Sequence, residues 1–405
     1  MKKKTIYLIL CVMAVAIVIG SRIYASNRMS STGTLGDEII SVGNVSEKKE
    51  DKKESTKSGQ HNKKSSVQKA EAKEPQKTET AVTSSGTPKE KTQERTDTYP
   101  KLHSNKKVHL YASGTARIGD TAYEQYSYVE SIAKTYASVV DKMNKNLNKK
   151  SKLYSCIVPT SAGITVPDNK KTKIKSGNQQ KAIQKIVKKY KGDQTVISLY
   201  DTFMKHRDEY IYFRTDHHWT PLGAFYAYTE FCNAKGIRAN NILQYKKKTF
   251  KGFKGTFYRD TNNNKTLRAD NIQTFYPLSG KKISMYYKTV QGQKIHAPLI
   301  DNVSRYGESL KYCAFISGDN PLTVIKNKAI KDGSSCVVVK ESFGNVFVPY
   351  LADHYQNVYV IDYRYWSGKL SSFVQKKKVQ DVILLNNISM TRNSYLVSKL
   401  GGIAG

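Results

Sequence analysis

Val337-Val338-Val339-Lys340-Glu341-Ser342-Phe343-Gly344-Asn345 opens on an apolar run and closes on a polar turn. The run Cys336–Val339 is β-branched beyond its cysteine, which suits a strand buried on both faces. The mostly apolar stretch that follows, Val346–His354, suits a helix. Strand, turn and helix in that order build a parallel sheet covered by helices. A serine in such a turn lies at the carboxyl edge of the sheet, near the positive end of the next helix. There Ser342 is either a nucleophile facing a stabilised oxyanion or the cap of that helix.

The same alternation extends in both directions. Tyr123–Met143 has helical spacing and lacks Pro and Gly, and Leu153–Val158 is a short apolar run ended by Pro159. Ala182–Tyr190 suits a helix, and Thr195–Leu199, Val358–Ile361 and Asp381–Leu385 suit strands. Thr220, Pro221 and Gly236 occupy the cap, the first turn and the terminator of another helix. Leu222, Phe225, Thr229 and Cys232 are expected on one face of it. The expected fold class is α/β, a parallel sheet with helices on both faces. Tyr245–Tyr312 breaks the pattern: it is rich in Tyr, Lys, Gly and Asn, and alternates only at Ile283–Tyr287. A β-rich antiparallel insertion or lid, at about 240–312, is expected there, without chemistry of its own.

The amino terminus has a different character. Lys2, Lys3 and Lys4 precede the uncharged run Thr5–Gly20, and Arg22 follows. This is the pattern of a signal peptide or signal anchor. Only a weak small-residue cleavage site, Ala25-Ser26, comes after it. Residues 1–24 are therefore expected to be an uncleaved transmembrane anchor with a cytoplasmic amino terminus. The remainder would be extracytoplasmic at the cell membrane, or secreted if the signal is cleaved. No aromatic residue lies between Tyr24 and Tyr99. A Lys/Glu/Ser/Thr-rich stretch of that kind buries too little apolar surface to offset chain entropy. Residues 25–106 are expected to be a disordered linker, and 107–405 the globular domain.

The net charge is +34, from 67 basic and 33 acidic residues. Such a charge favours polyanions. The excess is mostly lysine spread along the chain, with no nucleic-acid motif, so no nucleic-acid partner is expected. A solvated surface facing an anionic wall polymer fits better. The five cysteines form no C-x-x-C pair; Cys156, Cys232 and Cys336 have apolar neighbours and are expected as small buried hydrophobes.

Two further clusters end strands. In Tyr212-Phe213-Arg214-Thr215-Asp216-His217-His218-Trp219-Thr220, Asp216 is close enough to orient the His218 imidazole. A base that takes the serine proton and an acid that fixes its tautomer are what Ser342 would need. The competing readings are a polar turn or a zinc site, for which the adjacent histidines diverge and further ligands are lacking. No metal or cofactor is expected. Ile383-Leu384-Leu385-Asn386-Asn387 ends in amides that could donate to an oxyanion or form a turn. Arg364, beyond Val358–Ile361, could bind a carbonyl oxygen or acidic sugar, or form a surface salt bridge. Asn345 and Trp219 complete the substrate or oxyanion candidates.

Thr215-Asp216-His217-His218-Trp219-Thr220-Pro221-Leu222-Gly223-Ala224 resembles the signature of the bacterial DHHW proteins and, more distantly, that of the alginate O-acetyltransferase periplasmic proteins. Val158-Pro159-Thr160-Ser161, Ser317-Gly318-Asp319-Asn320-Pro321 and Lys340–Asn345 fit the same pattern, and the resemblance spans about 107–400. It implies an SGNH hydrolase-like, flavodoxin-like three-layer sandwich, circularly permuted because Asp216 and His218 precede Ser342. It also implies Ser342 as nucleophile, His218 as base, Asp216 as orienting acid, Asn387 as oxyanion donor and Arg364 near the site. The expected activity is O-acyl (acetyl) transfer or ester hydrolysis on a cell-surface or secreted polysaccharide through an acyl-serine. A membrane-bound O-acyltransferase would be the partner that supplies the acyl group. The alternative is a non-catalytic glycan-binding or scaffold module of a polysaccharide-modification complex.

Overall fold

The computed structural model describes residues 99–405. The anchor expected at 1–24 and the linker up to residue 98 lie outside the described residues. Residues 99–106 are tied to the folded unit: the Tyr99 hydroxyl donates to Asp201 and the Leu102 N–H to Asp168. Among the described residues no helix is long and apolar enough to cross a membrane.

Apolar runs that match the expected strands form one side of a mixed α/β sheet. Thr195–Ile197, Lys152–Val158, Asp381–Asn387, Ser335–Lys340 and Asn357–Asp362 lie side by side in that order, all parallel. Counted from Ser335–Lys340 as first, their order is 2-1-3-4-5, the flavodoxin-like arrangement. The chain enters this order at its fourth strand. The parallel register aligns Lys340 with Asp362 on one side and with Leu385 on the other. Ser342, Arg364 and Asn387 therefore emerge from one edge.

The sheet does not stay parallel. Leu322–Asn327 runs antiparallel on Asn357–Asp362, and the hairpin Ile283–Lys288 and Lys294–Ala297 extends it further. Part of the expected insertion thus belongs to the main sheet. Its other part is a separate ribbon, Lys246–Phe253 paired with Asp270–Tyr276. Tyr123 also departs from its helical spacing. It sits in the last strand of a small sheet, Val108–Leu110, Thr115–Ile118 and Thr121–Glu124. Its side chain packs with Ala116, Ile118, Val166 and Ile174, and the helix begins only at Glu130. That tertiary cluster overrides the local periodicity.

Alternate residues of the central strand feed two cores. Cys336 and Val338 join Phe231, Val346 and Phe347 from helices Pro221–Lys235 and Gly344–Leu351. Val337 and Val339 join Val140, Val374 and Leu400 from helices Glu130–Asn146, Leu370–Lys377 and Ser394–Ile403. Each fully buried valine contributes about 1.5–3 kcal/mol of hydrophobic stabilisation. The result is three layers. Cys156, Cys232 and Cys336 are buried free thiols, and burial pushes Cys336 well above its usual pKa.

Helix Pro221–Lys235 is capped by the Thr220 side chain and ends at Gly236, φ +76°. It buries more than one face. Ala224, Phe225, Ala227, Tyr228, Phe231 and Cys232 are all buried, while Leu222 and Thr229 are only half-buried. The helix packs on the sheet and against the Gly344–Leu351 helix. Its first turn sits so close to the Asp216 loop that a Cβ on Gly223 would lie 2.5 Å from the Ile211 carbonyl oxygen. Gly223→Ala should therefore force the helix outward and cost about 1–3 kcal/mol. The check is a lower urea midpoint at unchanged slope.

Candidate active site

Ser342 follows its strand directly, in the turn before helix Gly344–Leu351. The His218 Nε2 lies 2.7 Å from the Ser342 Oγ, across 124 residues of sequence. The other ring nitrogen, Nδ1, lies 2.5 Å from the Asp216 Oδ1. That same oxygen accepts the His218 backbone N–H at 3.0 Å. This double contact is how two residues' separation suffices for an acid to orient a base. An Nδ1–H donated to Asp216 leaves Nε2 as the acceptor facing the serine, the tautomer a general base requires. Ser342 and His218 are 5% and 6% exposed, so the reacting atoms are nearly sealed from bulk water.

Burial alone would raise the Asp216 carboxyl. The charges of His218 and His217, with hydrogen bonds from His218 and the Thr256 N–H, outweigh it and hold the group well below the usual carboxylate range. Asp216 Oδ2 accepts from the Thr256 N–H at 2.9 Å and from its hydroxyl at 3.2 Å. The Asp216 loop is fixed from behind by Asp270, which accepts from the Arg214 and Thr215 N–H groups, the Thr215 hydroxyl and the Tyr210 hydroxyl. Gly255, Thr256 and Asp270 all come from the 240–312 segment. Composition led to the expectation that this segment has no strong chemistry of its own; instead it clamps the acid. It also supplies Tyr312, whose ring stacks on His218 with centroids 4.0 Å apart.

His217 takes a different path from His218. Its Nδ1 lies 2.7 Å from the Thr256 hydroxyl, while its ring packs 3.9 Å from that of His218. Ligand atoms of Asp216, His217 and His218 lie within 4.8 Å of one another. The hydrogen bond from His218 to Asp216 orients the imidazole, and the one between His218 and Ser342 is the path for the serine proton.

The remaining candidates separate into one whose side-chain N–H groups stay unspent and three that donate to partners within the fold. Asn387 accepts the Ser389 N–H on its Oδ1, and its backbone N–H donates to Glu341, the residue before Ser342. Its side-chain nitrogen has no partner among the described residues, so its protons are available to a ligand. Arg364 is tied into the strand ends. Its guanidinium is held by Asp362 and Asp319 at 2.8 Å each. Asn345 gives its amide protons to Asp319 at 2.9 Å. Trp219 is fully buried, and its ring N–H donates to the Phe343 carbonyl at 2.8 Å. All three face inward and brace the nucleophile turn.

The bracing centres on Lys340, a fully buried lysine 2.8 Å from both Asp319 and Asp362. Burial would raise Asp319, but Arg364 and Lys340 overcome it and hold the carboxyl far below its usual range. Glu341 accepts the Phe343 N–H at 3.1 Å and the Asn387 N–H at 2.8 Å, joining two strand ends across the site. Sequence inspection missed Thr256, Tyr312 and the Glu341 bridge. Of these, only Glu341 had a local signal, a charge directly beside the serine.

The tightest constraint on the acid is Gly255. A Cβ there would fall 2.0 Å from Asp216 Oδ2. Gly255→Ala should displace the carboxylate by about 1 Å and lower turnover of an ester substrate about 100-fold. Steady-state kinetics beside a thermal melt would check this, with the melt far less affected.

Comparison with known proteins supports the fold. No curated protein matches the chain. A DHHW family protein from Eubacterium siraeum superposes with TM-score 0.65 and 24% identity, covering 72% of this chain and 96% of that one. Bacillus cereus PatB1, solved with a sulfonyl adduct, superposes with TM-score 0.58 and 17% identity, covering 71% and 97%. The O-acetyltransferase domain of Pseudomonas putida AlgJ aligns more loosely, at TM-score 0.37 and 12% identity over 73% and 99%. The sequence profile described as DHHW protein matches residues 86–361, and this chain belongs to the DHHW protein family.

Proposed function

We propose that this chain is a serine-dependent O-acyl transferase or esterase, acting outside the cytoplasm on a cell-surface or secreted polysaccharide. The observation that carries the proposal is the unbroken chain Asp216–His218–Ser342, with 2.5 and 2.7 Å contacts. The Ser342 oxygen adds to the carbonyl carbon of an acyl ester while its proton passes to His218 Nε2. The tetrahedral oxyanion takes a hydrogen bond from the Asn387 side-chain amide. Collapse expels the donor alkoxide, which leaves with the proton from His218 and an acyl group on Ser342. His218 then takes a proton from a sugar hydroxyl or water whose oxygen attacks the acyl-serine carbonyl; the bond to the Ser342 Oγ breaks, the acyl group leaves on the attacking oxygen, and His218 returns the proton to the Ser342 Oγ. A sugar acceptor makes the enzyme a transferase, and water makes it an esterase.

Several features support this reading. The 2-1-3-4-5 strand order with the serine after strand one suits an SGNH hydrolase-like sandwich, entered at its fourth strand as a circular permutation would require. PatB1 carries a sulfonyl adduct; the same class of reagent suits a serine activated as Ser342 is. The basic, apolar amino terminus suits a single-pass anchor in the cell membrane. A membrane-bound O-acyltransferase is the partner that would deliver the acyl group there, and a wall glycan the partner that would receive it.

Ser342→Ala should abolish turnover of p-nitrophenyl acetate while costing only about 1 kcal/mol of stability, the scale of one lost hydrogen bond. His218→Ala should be nearly as severe. Retention of wild-type turnover by Ser342→Ala would overturn the assignment.

A further inference from the structure

We propose that Tyr312 is a positioning residue for the His218–Ser342 pair, its ring holding the imidazole and its hydroxyl holding the serine's backbone. The catalytic consequence rests on the function proposed above; the contacts do not. Tyr312 lies in the short helix Glu308–Ala314, remote in sequence from both partners. Its ring is stacked on His218 at a 12° interplanar angle, and its hydroxyl donates to the Ser342 carbonyl at 3.0 Å. One side chain thus touches the base and the nucleophile's own residue.

The ring is itself held. Phe213 and Phe315 meet it edge-on, at 6.3 and 5.8 Å, and Phe253 stacks at 6.5 Å. Burial, reinforced by Asp216, Asp319 and Glu341, keeps the phenol protonated far above its usual range, so it donates and never becomes an anion. Beyond it the chain turns sharply, with Ile316 and Ser317 at φ +48° and +58°. Left-handed backbone at a β-branched residue costs about 1–3 kcal/mol and persists only where surroundings enforce it. The turn delivers Asp319 to Lys340 and Asn345. The 312–319 strap therefore grips the nucleophile turn at Ser342 and on either side of it.

The face of an aromatic ring is electron-rich and attracts a cation placed over it. When His218 takes the serine proton it becomes an imidazolium stacked on that face. The ring should therefore raise the proton affinity of His218 as well as fix its plane. Other titratable groups face the imidazole: Asp216 on Nδ1, His217 beside the ring, and Glu341, 3.4 Å from the Ser342 Oγ. A test must leave these in place and alter only the ring's electrons.

Two replacements separate the contributions: Tyr312→Phe removes the hydroxyl and keeps the ring face, and 3,4,5-trifluorophenylalanine at the same position also lacks the hydroxyl but depletes the ring face, so the difference between them isolates the ring's electrons. The His218 imidazole is titrated by NMR in each folded protein, independently of turnover. Tyr312→Phe should leave the midpoint near wild type and lower p-nitrophenyl acetate turnover about 5–10-fold, for one lost hydrogen bond. The trifluorinated ring should lower the midpoint by about 0.5–1.5 pH units. An unchanged midpoint in the trifluorinated protein, or an equal drop in Tyr312→Phe, overturns the role of the ring. Absence of turnover in the wild type would sink the proposed function and leave the titration to decide Tyr312 alone.

Discussion

A carboxylate taken out of water costs several kcal/mol unless charges and hydrogen bonds replace the lost hydration. Asp216 is 3% exposed, and the site is organised around meeting that demand. Its Oδ1 is met twice by His218, through ring and backbone. Its Oδ2 is met by Thr256, which arrives 40 residues later at the start of the short helix Thr256–Asp260 between the ribbon strands Lys246–Phe253 and Asp270–Tyr276. Docking of this segment against the Asp216 loop adds to the stronger pull of His218 and His217 on the carboxylate. Gly255, with no side chain to intervene, lets it come close enough. Ionised and fixed, Asp216 sets the His218 tautomer, and the tautomer makes Ser342 a candidate nucleophile.

The nucleophile turn solves a second version of the same problem. Lys340 is buried just beneath Ser342, where an unpaired ammonium would be strongly destabilising. Asp319 and Asp362 neutralise it, and Arg364 balances their excess charge. Asp319 also receives the Asn345 amide from the first turn of the following helix. Strand end, turn and helix start are thus tied to one carboxylate. Breaking a buried pair of this kind costs about 3–5 kcal/mol, so the network fixes geometry more than it adds stability.

Much of the sheet was legible because its strands are short apolar runs ended by Pro, Ser, Asp or Asn. Cys336–Val339 and Asp381–Leu385 need no partner to be recognised, and Thr220, Pro221 and Gly236 mark helix ends by local chemistry. The parallel edge then collects Ser342, Asn387 and Arg364. Local sequence does not tell which way a polar side chain at a strand end faces. Arg364, Asn345 and Trp219 look like ligand-binding groups, yet each turns inward to satisfy a buried partner. Asp319, which holds two of them, is 26 residues before Asn345 and 45 before Arg364 (364 − 319). The contributions of Thr256, Asp270 and Tyr312 come from a Tyr/Lys/Gly-rich stretch whose hairpin and ribbon carry little periodicity. Their roles exist only through tertiary contact.

The central claim is that Ser342 becomes acylated because His218 accepts its proton. Rapid acid quench of the protein with p-nitrophenyl acetate, followed by peptide mass mapping, tests it most directly. The account predicts an acetyl group on Ser342 in the wild type and none in His218→Ala. An acetyl group carried by a different residue, or undiminished acetylation of Ser342 without His218, would contradict it.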